Sequence, residues 1–273
     1  MKRKNILIIA AVIISMTLNA CNINVDGESF SGKSIKGNGQ IVTQKYDMTA
    51  FTKISISLPA TVNFTVSNDY TCTVRVDENL IEYLDIKVKN HELQMGKRQE
   101  HKNISLKATE FVVDVTAPSL ENINLAGSGT FNVHSPLEAE EMEVNVAGSG
   151  DIFFNKMITV KKIEMNVAGS GNVECNALVA DKLDGNVAGS GDMKIVSGTV
   201  GEATASVAGS GDFNLYCDIE NLEANIAGSG DIAARVSGKL KYGIIGSGDI
   251  GYYGNPTLEG EKLGSGSVTR LGD

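Results

Sequence analysis

The sequence predicts an all-β protein: a single-stranded, right-handed parallel β-helix with 18–21 residues per coil and irregular N-terminal coils or a cap. Three observations predict it. First, Gly-Ser-Gly occurs eight times at successive spacings of 21, 21, 20, 20, 19, 18 and 18 residues. A beat near 20 residues marks one supersecondary unit repeated and stacked. Second, apolar residues recur at even positions counted from the first glycine of each motif, which is the strand period. Third, the chain after the leader carries no helical period. Right-handedness is the default for parallel crossovers.

The leader comes first. Lys2, Arg3 and Lys4 precede an apolar run of 13 residues, Ile6–Leu18, too short to span a bilayer, which needs about 20 residues. Residues 1–20 therefore read as a secretory signal. Leu18-Asn19-Ala20-Cys21 resembles a bacterial lipobox, which makes Cys21 the expected lipidation site. Residues 21–39 follow as anchor and tether, polar and rich in Gly and Ser. Removing residues 1–20 leaves 21 basic against 33 acidic residues, a net charge of −12. Such a body repels nucleic acid and anionic headgroups, so the expected membrane contact is the N-terminal lipid.

Residues 40–120 lack Gly-Ser-Gly but keep the alternation, as in Ile54-Ser55-Ile56-Ser57-Leu58 and Val62-Asn63-Phe64-Thr65-Val66. They read as early coils of the same stack or as a small β cap, since terminal units of a solenoid must cover a core end.

Residues 121–273 are the repeat region. The first glycines are Gly127, Gly148, Gly169, Gly189, Gly209, Gly228, Gly246 and Gly264; the second are Gly129, Gly150, Gly171, Gly191, Gly211, Gly230, Gly248 and Gly266. Two residues before the first glycine stand Leu125, Val146, Val167, Val187, Val207, Ile226 and Ile244. Four residues after it stand Phe131, Ile152, Val173, Met193, Phe213, Ile232, Ile250 and Val268. A straight strand over that span would be about 40 Å long. The chain must bend, and glycine supplies both free dihedrals and room for an inner corner. Unbroken parity implies that both glycines face inward. Looser returns are expected at Asn155–Lys161 and Asn176–Lys182.

Two polar rows accompany the corners. Asp151, Asp192, Asp212, Asp231 and Asp249 stand three residues after the first glycine, interrupted by Asn172. Stacked carboxylates repel, so they need compensation, either by accepting amide groups of their own corner or by sharing a cation such as Ca²⁺. Three residues before the first glycine stand Asn124, Asn145, Asn166, Asn186 and Asn225, as expected of a side-chain amide ladder. Cys72, Cys175 and Cys217 have no metal or redox spacing, and Cys175 falls on an inward position. No metal site and no cofactor are expected.

Catalytic patterns fare poorly. His91, His101 and His134 lie on polar stretches. Gly-Ser-Gly is neither the Gly-x-Ser-x-Gly elbow nor a phosphate loop. Arg235 and Arg270 lie on separate coils with no evident partners.

Repeated Ala-Gly-Ser-Gly-Asp-Ile, the tail Gly254-Asn255-Pro256 with Gly264-Ser265-Gly266, and Pro118-Ser119-Leu120-Glu121-Asn122-Ile123 before the first corner carry a family resemblance. The chain resembles the "putative auto-transporter adhesin, head GIN domain" family over roughly residues 41–270. The resemblance implies an exported β-helical protein and supplies no catalytic residue.

The expected function is a non-catalytic binding or adhesion scaffold, lipid-anchored to the outer membrane on its periplasmic or surface face. A glycan or an extracellular protein is the expected ligand. The alternative is a structural lipoprotein working by self-association; a polysaccharide-active β-helix enzyme stands behind both.

Overall fold

The computed structural model describes residues 33–273; the signal segment expected at 1–20 and Cys21 lie outside them. The eight corners stand in one column. Gly127 pairs with Gly148, Gly148 with Gly169, and so on through Gly246 with Gly264, every pair in parallel register. The protein is a parallel β-solenoid, and each lap lies on the one before it.

Alternation sets what is inside. In the lap Asp151–Gly169 the inward side chains Ile152, Phe154, Ile158, Val160, Ile163, Met165 and Val167 are at most 6% exposed. Burial of such side chains is the main favourable term in the stack. Columns of inward residues also trade volume. Gly185 is inward, and a methyl there would lie 2.3 Å from Cε1 of Phe213, so this glycine makes room for that ring.

The returns differ from expectation. They are not loose. The strand Asp151–Gly169 runs through Asn155–Lys161 and stays paired with Val173–Gly189, apart from a register shift between Phe154 and Met157. A bulge turns the sheet without ending it. Side chains help hold the bend: Ser197 Oγ donates to the Asn176 carbonyl at 2.7 Å, and Asn176 Nδ2 to the Asn155 carbonyl at 3.3 Å.

Residues 40–120 form both coils and a cap, in an order the chain does not follow. Lys53–Ile56 and Thr61–Val66 pair in parallel with Asn122–Gly127 and Thr130–Val133, continuing the column below the first Gly-Ser-Gly. Beneath them lie Glu92–Lys97 and Phe111–Ala117, later in sequence yet lower in the stack. From there the pairing turns antiparallel. Leu84–Lys89 pairs with Glu92–Lys97, Thr71–Asp77 with Phe111–Ala117, and Ile41–Tyr46 with Thr71–Asp77. A 3₁₀ turn, Glu78–Tyr83, buries Leu80 in the same end. Reversing direction ends the parallel template, a way of closing an edge.

Asp77 fastens this cap. It is fully buried, and its carboxylate accepts the amides of Gly39 and Thr109, each at 2.7 Å. Gly37 passes so close that a Cβ would lie 2.2 Å from Asp77 Cγ. Burial alone would push the Asp77 carboxyl up; the Thr109 and Gly39 amides, with the Thr109 hydroxyl, outweigh it and hold the carboxyl below its ordinary range. The sign follows from linkage. A depressed folded-state value gives stability that is present above about pH 4, the unfolded value, and lost as pH falls through the folded one. Asp77→Asn is therefore expected to melt lower at pH 7, with the gap to wild type closing toward pH 3. A constant gap across that range in thermal melts would contradict this.

Candidate functional site

The two glycines of each corner do different work. The first has φ between +106° and +140° in all eight corners, a conformation that side-chain-bearing residues rarely adopt. It is half-buried rather than inward from the second corner to the seventh, and a Cβ on Gly169 would aim along the stack, 2.2 Å from the Gly148 carbonyl oxygen. Only the second faces the core. A Cβ on Gly171 would lie 2.0 Å from the Gly150 carbonyl oxygen and 2.8 Å from Val146 Cγ1. The parity expected through both glycines thus breaks at the first, because its positive φ swings the chain through the corner. The Gly148 carbonyl, covered in this way, accepts two amides from the next lap, Ser170 at 2.8 Å and Gly171 at 3.0 Å.

The aspartate row is a ladder between laps, not a set of local turns. Asp151 Oδ1 accepts the Asn172 amide at 3.0 Å, Asn172 Oδ1 the Asp192 amide at 2.9 Å, and Asp192 Oδ1 the Asp212 amide at 2.9 Å. Asp212 and Asp231 continue it at 3.0 and 2.7 Å. Each side chain reaches up one lap, since the amide next to its own corner is already taken by the lap below. Asn172 shows that an amide serves the same role; its Nδ2 also donates to Asp151 Oδ1 at 2.8 Å. The last rung is Ser267, whose amide and hydroxyl both donate to Asp249 Oδ1, at 2.6 and 2.8 Å. The hydroxyl, then the amide of Ser267, and then the Lys262 ammonium hold the Asp249 carboxyl below its ordinary range. Among the described residues no group of three or more His, Cys, Asp or Glu side chains is arranged to hold a metal ion.

The asparagine row bonds side chain to side chain. Asn145, Asn166 and Asn186 donate Nδ2 to Asn124, Asn145 and Asn166 at 2.8, 2.9 and 3.0 Å. Ser206 breaks the row before Asn225, which faces Ser206 on one side and Gly243 on the other.

The histidines stay apart. His91 sits with Asn90 at positive φ in the hairpin turn, His101 packs on Tyr83 at 4.8 Å, and His134 Nε2 lies 3.2 Å from Asn63 Oδ1. All three described cysteines are buried, and burial pushes each thiol up to about 12.

Arg235 has partners that sequence reading missed. Its guanidinium lies 5.5 Å from the Tyr253 ring centroid and 3.5 Å from Asp218. Tyr216, Arg235 and Tyr253 each stand seven residues after the first glycine, on three successive laps. That shared position brings Arg235 beside Tyr253, whereas Asp218 stands opposite Arg235 on the lap below and Tyr216 falls in the irregularity between Leu215 and Asp218. Tyr216 is 44% exposed. Arg270 is also partnered, by the Gly254 carbonyl at 2.7 Å and by Asp273.

Comparisons agree with this architecture. The model of the family described as "Putative auto-transporter adhesin, head GIN domain" matches residues 50–256. A crystal structure of a "putative lipid binding protein" from Parabacteroides distasonis is 32% identical, with a TM-score of 0.84, covering 88% of this chain and 100% of that one. A "putative adhesin" from the same species is 27% identical, with a TM-score of 0.82 and the same coverage. A "putative adhesin" from Parabacteroides merdae is 26% identical, with a TM-score of 0.83, covering 88% of this chain and 99% of that one. No curated protein matches. With a corner column, two ladders and a family match over most of its length, the chain belongs to the head GIN domain family of auto-transporter-adhesin type.

Proposed function

We propose that the protein is a non-catalytic binding scaffold of the cell envelope, lipid-anchored through Cys21 to the outer membrane, with its solenoid side as the ligand-contacting face. The observation that carries this is the Arg235–Tyr253 pair, with the exposed Tyr216 on the preceding lap. Together these set two aromatic rings and a cation on a rigid parallel sheet, with Asn214 and Asp218 beside them. Tyrosine supplies area at low entropic cost and a polar tip, which suits glycan or protein ligands. Family membership and the names of two relatives as adhesins support the same reading.

One relative's name points to lipid. The core here is filled from Phe131 to Ile250 by side chains such as Phe154, Ile163 and Phe213, each at most 1% exposed. A lipid would therefore meet this protein at its surface rather than inside it.

The test is a glycan and extracellular-matrix screen of residues 22–273, repeated with Tyr216→Ala/Tyr253→Ala. Loss of two aromatic contacts is expected to weaken binding at least about tenfold. Binding that survives the double substitution would remove these tyrosines from the reading, and a screen without ligands would remove the reading itself. For the anchor, Cys21→Ser is expected to move the protein from the membrane to the soluble fraction. Digestion by protease added to intact cells would place it on the surface face.

A further inference from the structure

The eighth Gly-Ser-Gly lap departs from the repeat. Two residues before the first glycine, the inward position holds Leu, Val or Ile in seven laps and Lys262 in the eighth. Lys262 Nζ donates to the Gly266 carbonyl at 3.1 Å. In earlier laps the matching carbonyl is covered by the next lap, as Gly150 is by Gly171. The aspartate position changes too. Ser267 donates downward to Asp249 and ends the ladder, where an aspartate would present an acceptor to a further amide. The strand Thr257–Gly264 is exposed along its whole length and pairs with Ile232–Gly246; among the described residues nothing pairs on its outer side.

Such an edge is a template for another strand. A second copy adding itself antiparallel, with faces preserved, must pair residues of equal parity. Centring the pair on Gly260 sets Glu259 opposite Glu261, and centring it on Glu261 sets that residue against itself. Like charges directly opposite disfavour pairing. An ammonium at an inward position adds the cost of burying a charge under any incoming lap.

We propose that residues 257–272 are a built stop for the solenoid: Lys262 bridges the end of the core, caps the Gly266 carbonyl and blocks end-to-end association with a second copy. This reading is independent of what the side face binds. The inward lysine does for this end what the antiparallel strands do for the other.

The experiment compares the chain from residue 22 to 273 with Lys262→Val and Lys262→Arg by sedimentation velocity across a wide concentration range. Valine restores the residue type that the preceding laps carry. Lys262→Val is expected to self-associate at least about tenfold more tightly than wild type, the effect of one further buried aliphatic side chain at the contact, while Lys262→Arg keeps the wild-type behaviour. As a second readout, Leu263→Cys is expected to form disulfide-linked dimers on oxidation when combined with Lys262→Val and not with Lys262 present. Lys262→Val sedimenting as wild type with an intact β signature in circular dichroism overturns the proposal. So does Leu263→Cys cross-linking equally in both backgrounds. If Lys262→Val does not fold, the cross-linking is read on Lys262→Gln, which keeps a polar end without the charge and is expected to show intermediate dimerisation; none above wild type overturns the proposal as well.

Discussion

Gly171→Ala is expected to destabilise the protein by about 3 kcal/mol or more, at the upper end of overpacking costs. The added methyl would meet the Gly150 carbonyl at 2.0 Å, and that contact is backbone against backbone, with no flexible side chain to yield. For a chain of this size the loss corresponds to a fall in Tm of roughly 6–12 °C. Gly169→Ala combines a similar clash, 2.2 Å from the Gly148 carbonyl, with a φ of +130°. Gly127→Ala is the discriminating control. Its φ is +106°, yet nothing lies within 4 Å of the added methyl. It is expected to cost only the conformational strain, about 1–3 kcal/mol. The order Gly127→Ala below Gly171→Ala and Gly169→Ala would separate dihedral freedom from close approach within one motif. Equal losses at Gly127 and Gly169 would mean that φ alone explains the first glycine of each corner. Laps touch only their neighbours, so hydrogen exchange should show the damage of Gly171→Ala concentrated between the Gly148 and Gly189 corners, with the cap strands spared.

The repeat body was legible because its signal is redundant. Eight corners in a column, with seven core residues at one inward position, leave one register in which the apolar set faces the core. The cap was not legible in the same way. Glu92–Lys97 and Phe111–Ala117 alternate like the early strands, yet they lie beneath Lys53–Ile56 and Thr61–Val66. Alternation reports which face is buried; it does not report which neighbour a strand takes. Asp77 was invisible for a related reason, since its two amide donors come from Gly39 and Thr109, 38 and 32 residues away. The ladder of aspartates was visible as a row. Its bonding is not legible there, because the sequence does not show that the lap below already occupies each corner's amide. The Arg235–Tyr253 pair is hard to read for another reason: Tyr216, Arg235 and Tyr253 share a repeat position but differ in residue type, so no row marks them.

The aspartate ladder gives the second large effect. Asp192 has its Oδ1 on the amide of the next lap, and so do Asp151, Asp212, Asp231 and Asp249. Replacing all five by alanine removes five such acceptors. At about 0.5–1 kcal/mol for each rung at an accessible edge, the loss sums to about 3–5 kcal/mol. Replacing all five by asparagine keeps an acceptor in place, as Asn172 already does at 2.9 Å. It also removes repulsion between carboxylates one lap apart, worth roughly 1 kcal/mol per adjacent pair in water. The asparagine variant is therefore expected to melt at or above wild type at low salt. Added salt should raise the wild-type Tm by screening the row and leave the asparagine variant nearly unmoved. Calcium offers the opposing outcome. If the row works by hydrogen bonding, calcium shifts the Tm no more than monovalent salt of equal ionic strength. A saturable rise with dilute calcium, lost in the asparagine variant, would show that these carboxylates serve a cation first and the next lap's amides second.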